Sequence, residues 1–149
     1  MTTQEKDMNA VKQNAWAFTS VKEQTPELCM LAVSKCAYLL RYVNLQTEEM
    51  CMMAVKKCGY TLYCVKLQTP EICIAAVSEN GCSLLHVLEQ TEEICLAAVT
   101  ENGLALAYVK NQTTAICLAA VKQNPSAKRY IQLARKEIKP INNIQRGNR

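Results

Sequence analysis

Gln68-Thr69-Pro70-Glu71-Ile72-Cys73 reads as the start of a helix, and the chain writes it again every 22 residues. The same block stands at Gln24–Cys29, Gln46–Cys51, Gln90–Cys95 and Gln112–Cys117, with Glu or Thr replacing Pro in three copies. Each copy runs into an Ala-Val pair (Ala32-Val33, Ala54-Val55, Ala76-Val77, Ala98-Val99, Ala120-Val121) without insertion. A weaker copy at Thr2-Thr3 keeps Ala10-Val11 and Val21 in register. A fixed period in the twenties means stacked supersecondary units. The reading is an all-α fold, a right-handed-type α-solenoid of six 22-residue helix-turn-helix repeats: 2–23, 24–45, 46–67, 68–89, 90–111 and 112–133. Residues 134–149 form a basic C-terminal tail.

Within residues 90–111, Thr91 is an N-cap, and Glu92 and Glu93 fall in the first turn, where the helix dipole favours carboxylates. Pro26 and Pro70 take that first helical position in two units, where a missing N–H costs nothing. Ile94, Cys95, Ala98 and Val99 follow at helical spacing. Asn102-Gly103 predicts a stop, with the glycine in the left-handed conformation. A second helix is expected from Leu104 to about Lys110, with Leu106 and Val109 inward. Each unit is then two helices of about 11 and 7–8 residues, too short to persist alone and stabilised by stacking. Gly59, Gly81 and Gly103 mark the break, as does Pro125, whereas Ala15 and Ala37 make it less distinct in the first two units. A leucine-rich-repeat reading would place strands at Ala97-Ala98-Val99. The alanine richness and the Thr-Pro-Glu start argue against it.

The Gln-Thr-Pro-Glu-Ile-Cys-x-Ala-Ala-Val-x-x-Asn-Gly block, with Tyr42-Val43 and Tyr108-Val109 near the ends of units, resembles the short α-helical repeats of domain-of-unknown-function family 4116. The likeness covers the chain apart from its first unit and its tail. It implies the helical-repeat fold and brings no activity with it.

Half of the 149 residues are apolar, yet no run approaches the ~20 consecutive apolar residues of a membrane span. Nothing at the N-terminus resembles a signal peptide. Nine cysteines would suit a disulfide scaffold, but the count is odd and five of them (Cys29, Cys51, Cys73, Cys95, Cys117) occupy one column. That column reads as a stripe of reduced, buried thiols, and the expected location is the cytoplasm, or a host cytoplasm after delivery. The repeat body is neutral, and the net charge of +4 comes from Arg135, Lys136, Lys139, Arg146 and Arg149 against Glu137. A neutral body is a poor footprint for phosphate binding.

Every aromatic residue falls in a second helix. Trp16, Tyr38 and Tyr60 share one column, Tyr42, Tyr108, Tyr130, His86 and Cys64 another. A further column varies freely through Arg41, Tyr63, Leu85, Ala107 and Arg129. Constant scaffold with variable aromatic positions is the pattern of a partner-binding surface, and tyrosine and tryptophan are enriched at interface hot spots. The candidate partner-binding residues are Trp16, Tyr38, Arg41, Tyr60, Tyr63, His86, Tyr108 and Arg129. Packing of the same rings between units is the competing reading.

Catalytic and metal-binding readings fare worse. His86 is the only histidine, and Cys64 lies one unit away in the same column, with no third group to orient a pair. There is no Cys-x-x-Cys and no phosphate loop, so no cofactor and no metal are expected. The expected function is a non-enzymatic helical-repeat module that binds a protein or peptide as an inhibitor, effector or adaptor. The alternative is single-stranded nucleic-acid binding by the aromatic row and basic tail. Lys6 and Asp7 at one end, and Lys128 and Pro140 at the other, suggest closed ends and a monomer or weak dimer.

Overall fold

A computed structural model describes residues 1–132. Leu133 and the basic tail, with Pro140, lie outside the described residues. About 73% of the described residues are helical and none is in a strand.

Each unit holds one α-helix and one 3₁₀ helix. The α-helices are α1 (Thr3–Gln13), α2 (Pro26–Lys35), α3 (Glu48–Lys57), α4 (Pro70–Glu79), α5 (Glu92–Glu101) and α6 (Thr114–Gln123). The 3₁₀ helices are η1 (Ala15–Ser20), η2 (Ala37–Tyr42), η3 (Gly59–Cys64), η4 (Gly81–His86), η5 (Gly103–Tyr108) and η6 (Pro125–Tyr130). Elements touch only within a unit or across to the next one, so the units stack in chain order.

The N-cap expectation holds at atomic detail. Thr69 Oγ1 accepts the Ile72 N–H at 3.3 Å, and Thr25, Thr47, Thr91 and Thr113 repeat the bond in their units. In the first unit the cap shifts back by one residue. There Thr2 and Glu5 form a reciprocal capping box, and α1 begins at Thr3. The α-stripe is buried as expected: Leu28, Cys29, Ala32 and Val33 in α2, and the equivalent residues of α3, α4 and α5. Removing one Ile or Leu side chain of this seam from water contributes about 1.5–3 kcal/mol.

Two details of the second helix differ from expectation. It is a 3₁₀ helix of six residues, and Val109 is its extended C-cap rather than a helical residue. The break before it also has another geometry. Asn102 sits at φ −142°, ψ 107°, and no described residue has positive φ. A single extended residue serves as C-cap of the α-helix and N-cap of the 3₁₀ helix. Asn102 Oδ1 accepts the Leu104 N–H at 3.0 Å, and Asn14, Asn80 and Asn124 make the same short turn. Cys36 and Cys58 occupy this place without a side-chain cap, and the turn forms there too.

The glycines are required by close approach. A Cβ on Gly81 would lie 2.4 Å from the Ala98 carbonyl oxygen of the following α-helix, and Gly59 and Gly103 face Ala76 and Ala120 at 2.3 Å. The Gly81 N–H donates to Glu101 Oε2 at 2.5 Å, the Gly103 N–H to Gln123 Oε1 at 2.6 Å, and the Gly59 N–H to Glu79. Where Ala37 replaces glycine, the next unit offers Lys57 instead of an acceptor, and Lys57 turns to the Ser34 carbonyl. Consistently, α2 and α3 pack less closely than α4 and α5.

A ladder of glutamines closes the units, and three of its members also tie a unit to the one before it. Gln68 Nε2 donates to the His86 carbonyl at 2.8 Å, while its Oε1 accepts the Leu88 N–H at 3.0 Å. The side-chain amide thereby pairs with the extended backbone on both sides of Val87. Gln24, Gln46, Gln90 and Gln112 make the same two bonds around Val43, Val65, Val109 and Ile131. Gln46, Gln90 and Gln112 also donate back to Leu40, Leu84 and Leu106 at the end of the preceding 3₁₀ helix. Replacing Gln68 by Ala leaves these backbone groups without partners and is expected to lower stability by about 1–3 kcal/mol. Gly81→Ala is expected to cost about 1–3 kcal/mol through overpacking. Urea unfolding followed by circular dichroism checks both, and stability equal to the parent chain in either variant contradicts its explanation.

Candidate partner-binding surface

Six residues of 3₁₀ helix have a period of three, so side chains three apart eclipse one another. That rule sorts the second helix into faces. In η3, Thr61 and Leu62 are fully buried while Tyr60 and Tyr63 are exposed. The pairs Trp16/Thr19, Tyr38/Arg41, Cys82/Leu85, Leu104/Ala107 and Ser126/Arg129 hold the equivalent places in the other five units. The second member of each pair is exposed throughout. Two side chains per unit therefore form an outer row, set three residues apart by helix geometry.

The predicted candidates fall on this row or beside it. Trp16 is 50% exposed, Tyr63 48% and Tyr38 40%, with Tyr60 and Tyr108 slightly lower. Arg41 and Arg129 are exposed and His86 is half-buried. The aromatic set is not uniform, because Phe18 is fully buried in the core. Packing between units and exposure coexist in the remaining rings. Trp16 meets Tyr42 of the next unit edge-on, with ring centroids 6.3 Å apart. His86 lies against Tyr60 at 6.0 Å and Tyr63 at 5.7 Å. The Arg41 guanidinium lies over Tyr42 at 5.5 Å, and Arg129 over Tyr130 at 5.3 Å. Thus Arg41, Tyr42, Tyr60, Tyr63 and His86 converge across units two to four; Tyr108 adds, after burial and Cys82, to the raising of the Tyr60 phenol, and Arg129 lies in the sixth unit. Leu85, 57% exposed beside His86, belongs to the same surface, and its place in the variable column was the signal for it.

Phenol and thiol groups here are linked. Tyr38 Oη and Cys58 Sγ are hydrogen-bonded at 3.3 Å, and this bond, followed by the charge on that sulfur, pushes the Tyr38 phenol up to about 12. The Tyr63 phenol is raised, first by its hydrogen bond with Cys64 and then by burial, while Arg41 pulls it down. Cys64 is buried and interacts with Tyr63. Tyr63 is also one of the two rings against His86, so that tyrosine stands beside both Cys64 and His86, and among the described residues no hydrogen bond joins the two. Among the described residues, no group of three His, Cys, Asp or Glu side chains could hold a metal ion. No described helix is long and apolar enough to cross a membrane.

A second exposed feature lies on the joins between units. Leu45 is 85% exposed, and Leu67 and Leu88 nearly as much. They flank two clefts of about 220 and 280 Å³, whose other walls include Cys51 and Cys73. The repeat pattern hides these leucines because Leu45 and Leu67 share a column with Glu89 and Asn111, and Leu88 shares one with Asn44, Lys66 and Lys110.

Comparison with protein-family models, with curated proteins and with solved structures gives no match in any of the three.

The thiol column is reduced and closed. All nine cysteines are free, and Cys29, Cys51, Cys73, Cys95 and Cys117 are buried. Each of these five donates its S–H to the ladder glutamine of its own unit, for example Cys73 Sγ to Gln68 Oε1 at 3.5 Å. Burial raises all five above the ordinary value of 9.0. The unfolded chain therefore ionises first, so the stabilisation is intact below about pH 9 and is lost as pH rises through the folded values. Thermal unfolding should be level from about pH 6 to 8 and fall above about pH 9. A Cys51→Ala/Cys73→Ala/Cys95→Ala variant should fall less steeply, and equal slopes would count against the thiols as its cause.

Proposed function

We propose that the chain is a right-handed-type α-solenoid, one repeat domain over 1–133 with a basic tail over 134–149, that binds a protein or peptide through its 3₁₀ row. The observation that carries this reading is the outer row of two positions per unit, the second of which is exposed in every unit. The scaffold behind it is nearly invariant, whereas the row changes from unit to unit. Large, rigid and half-exposed rings such as Trp16, Tyr38, Tyr60 and Tyr63 are the residues that anchor interfaces. Stacking in chain order with contacts only between neighbours supports the solenoid architecture. Membership of family 4116 rests on the quoted repeat residues.

The role is that of a non-enzymatic inhibitor, effector or adaptor. The single histidine is packed against two tyrosines, and the column thiols are held protonated by burial, so the groups most suited to nucleophilic chemistry are engaged in packing. Nine free cysteines suit the reducing cytoplasm, whether of the producing cell or of a host. Single-stranded nucleic acid is the second reading, favoured by the stacking platforms of the row and by Arg41, Lys128 and Arg129.

The test is selection from a random displayed peptide library. Selected peptides should bind the parent chain and lose at least about tenfold in affinity for Trp16→Ala/Tyr38→Ala/Tyr60→Ala, a loss of roughly 1.4 kcal/mol. Circular dichroism should show both proteins equally folded. Equal binding by the triple variant would remove the row from the interface. Salt-sensitive binding of an oligothymidylate, with no peptide selected, would favour the nucleic-acid reading.

A further inference from the structure

Charge is divided between the two helical rows. The six α-helices carry ten carboxylates (Glu5, Asp7, Glu27, Glu48, Glu49, Glu71, Glu79, Glu92, Glu93 and Glu101) against six lysines. None of the six 3₁₀ helices contains an Asp or Glu, and together they hold Arg41, Lys128 and Arg129. The repeat body is neutral as the sum of an acidic row, a cationic row and joins in which Lys22, Lys66 and Lys110 stand against Glu23 and Glu89.

Within the cationic row the charge is also placed unevenly. Arg41 stands in the second unit and Lys128 and Arg129 in the sixth, while η3, η4 and η5 carry no Lys, Arg, Asp or Glu. The middle of the row is instead Tyr60, Tyr63, Leu85 and Ala107, all exposed, with exposed Tyr108 beside it. Arg41 itself is held between rings, its guanidinium over Tyr42 and its charge felt by the Tyr63 phenol. A guanidinium held over a ring still presents N–H groups beyond the one that meets the Tyr63 phenol, which can pair with a carboxylate, and it loses less freedom on binding than an extended lysine.

We propose that the partner of this row is an acidic protein segment with an apolar or aromatic centre, one of whose carboxylates pairs with Arg41 while its apolar side chains cover Tyr60, Tyr63 and Leu85. This rests on the peptide-binding reading above and specifies the partner's chemistry. The row itself bears no carboxylate, the nearby Glu79 and Glu101 carboxylates are taken up by the Gly59 and Gly81 N–H groups, and the uncharged side chains at its centre impose no unpaired charge on the apolar part. A basic segment would meet repulsion at both cationic ends. A polyphosphate chain would find three cations for many charges, and nucleic-acid affinity scales with the phosphates neutralised.

The experiment selects random 12-residue displayed peptides against the parent chain and, separately, against Arg41→Glu. Peptides from the parent selection should be enriched in Asp or Glu beside Phe, Leu, Trp or Tyr. Their affinity should fall at least about tenfold for Arg41→Glu and several-fold when salt is raised from about 50 to 300 mM. The Arg41→Glu selection should shift towards Lys and Arg. Light scattering of both proteins reports self-association. Selected peptides that are uncharged or basic, or that ignore Arg41→Glu while losing affinity to Tyr60→Ala/Tyr63→Ala, would overturn the acidic partner and leave the row as a peptide surface. Self-association abolished by Arg41→Glu would make a second copy of the chain the occupant and overturn it too. Failure to select any peptide would sink both this inference and the reading it rests on.

Discussion

The side-chain amide of one glutamine per unit is the constraint on which the stack depends. A 3₁₀ helix of six residues ends with carbonyls and an extended segment that have no intrahelical partner. In η4 those groups are the His86 carbonyl and the Leu88 N–H, and Gln68 satisfies both with a single primary amide. Only an amide carries a donor and an acceptor at this spacing. Glutamate would offer two acceptors and leave the carbonyl bare. Because Gln46, Gln90 and Gln112 also reach the preceding unit, the ladder sets the offset between successive units as well as closing each one.

Packing and hydrogen bonding reinforce one another around that ladder. The buried thiols lean on the same glutamine oxygens, so the cysteine column serves as part of the polar spine as well as part of the apolar seam. On the other side of the 3₁₀ helix, the glycine N–H groups take a carboxylate or amide from the next unit, and the absent Cβ lets the backbones meet. Units four, five and six therefore join by polar clamps at both ends of the 3₁₀ helix, whereas units three and four share the glycine clamp alone. At the junction of units two and three, Ala37 and Lys57 replace this second clamp with a lysine-to-carbonyl bond.

The α-half of each unit was legible because its signals are local and redundant: Thr caps, Pro or Glu in the first turn, and apolar residues at 3.6 spacing. The second half is legible as a helix but not as a 3₁₀ helix. Six residues are too few to separate a period of three from 3.6, and Leu106 with Val109 fits either. Gly103 misled for a related reason, since left-handed turns and close approach both select glycine and only the neighbouring unit distinguishes them. The ladder glutamines were conspicuous as a motif, but their partners lie 18 and 20 residues further on. Of the candidate surface, the exposed columns of Trp16 and Arg41 were visible as variation against a constant frame. The exposed leucines at Leu45 and Leu67 were not, because no periodic rule governs the joins.

The eclipsed pairs of the 3₁₀ row carry an implication for how such a chain can change. Tyr38 with Arg41, Tyr60 with Tyr63 and Cys82 with Leu85 are two-letter words written on a backbone whose clamps involve neither letter's outward side. Exchanging a word leaves the spine untouched, and duplicating a whole unit inserts a new word without disturbing the phase of those around it. Diversification of the surface is thereby uncoupled from maintenance of the fold, so a lineage of these chains can drift in what it grips while its framework stands still.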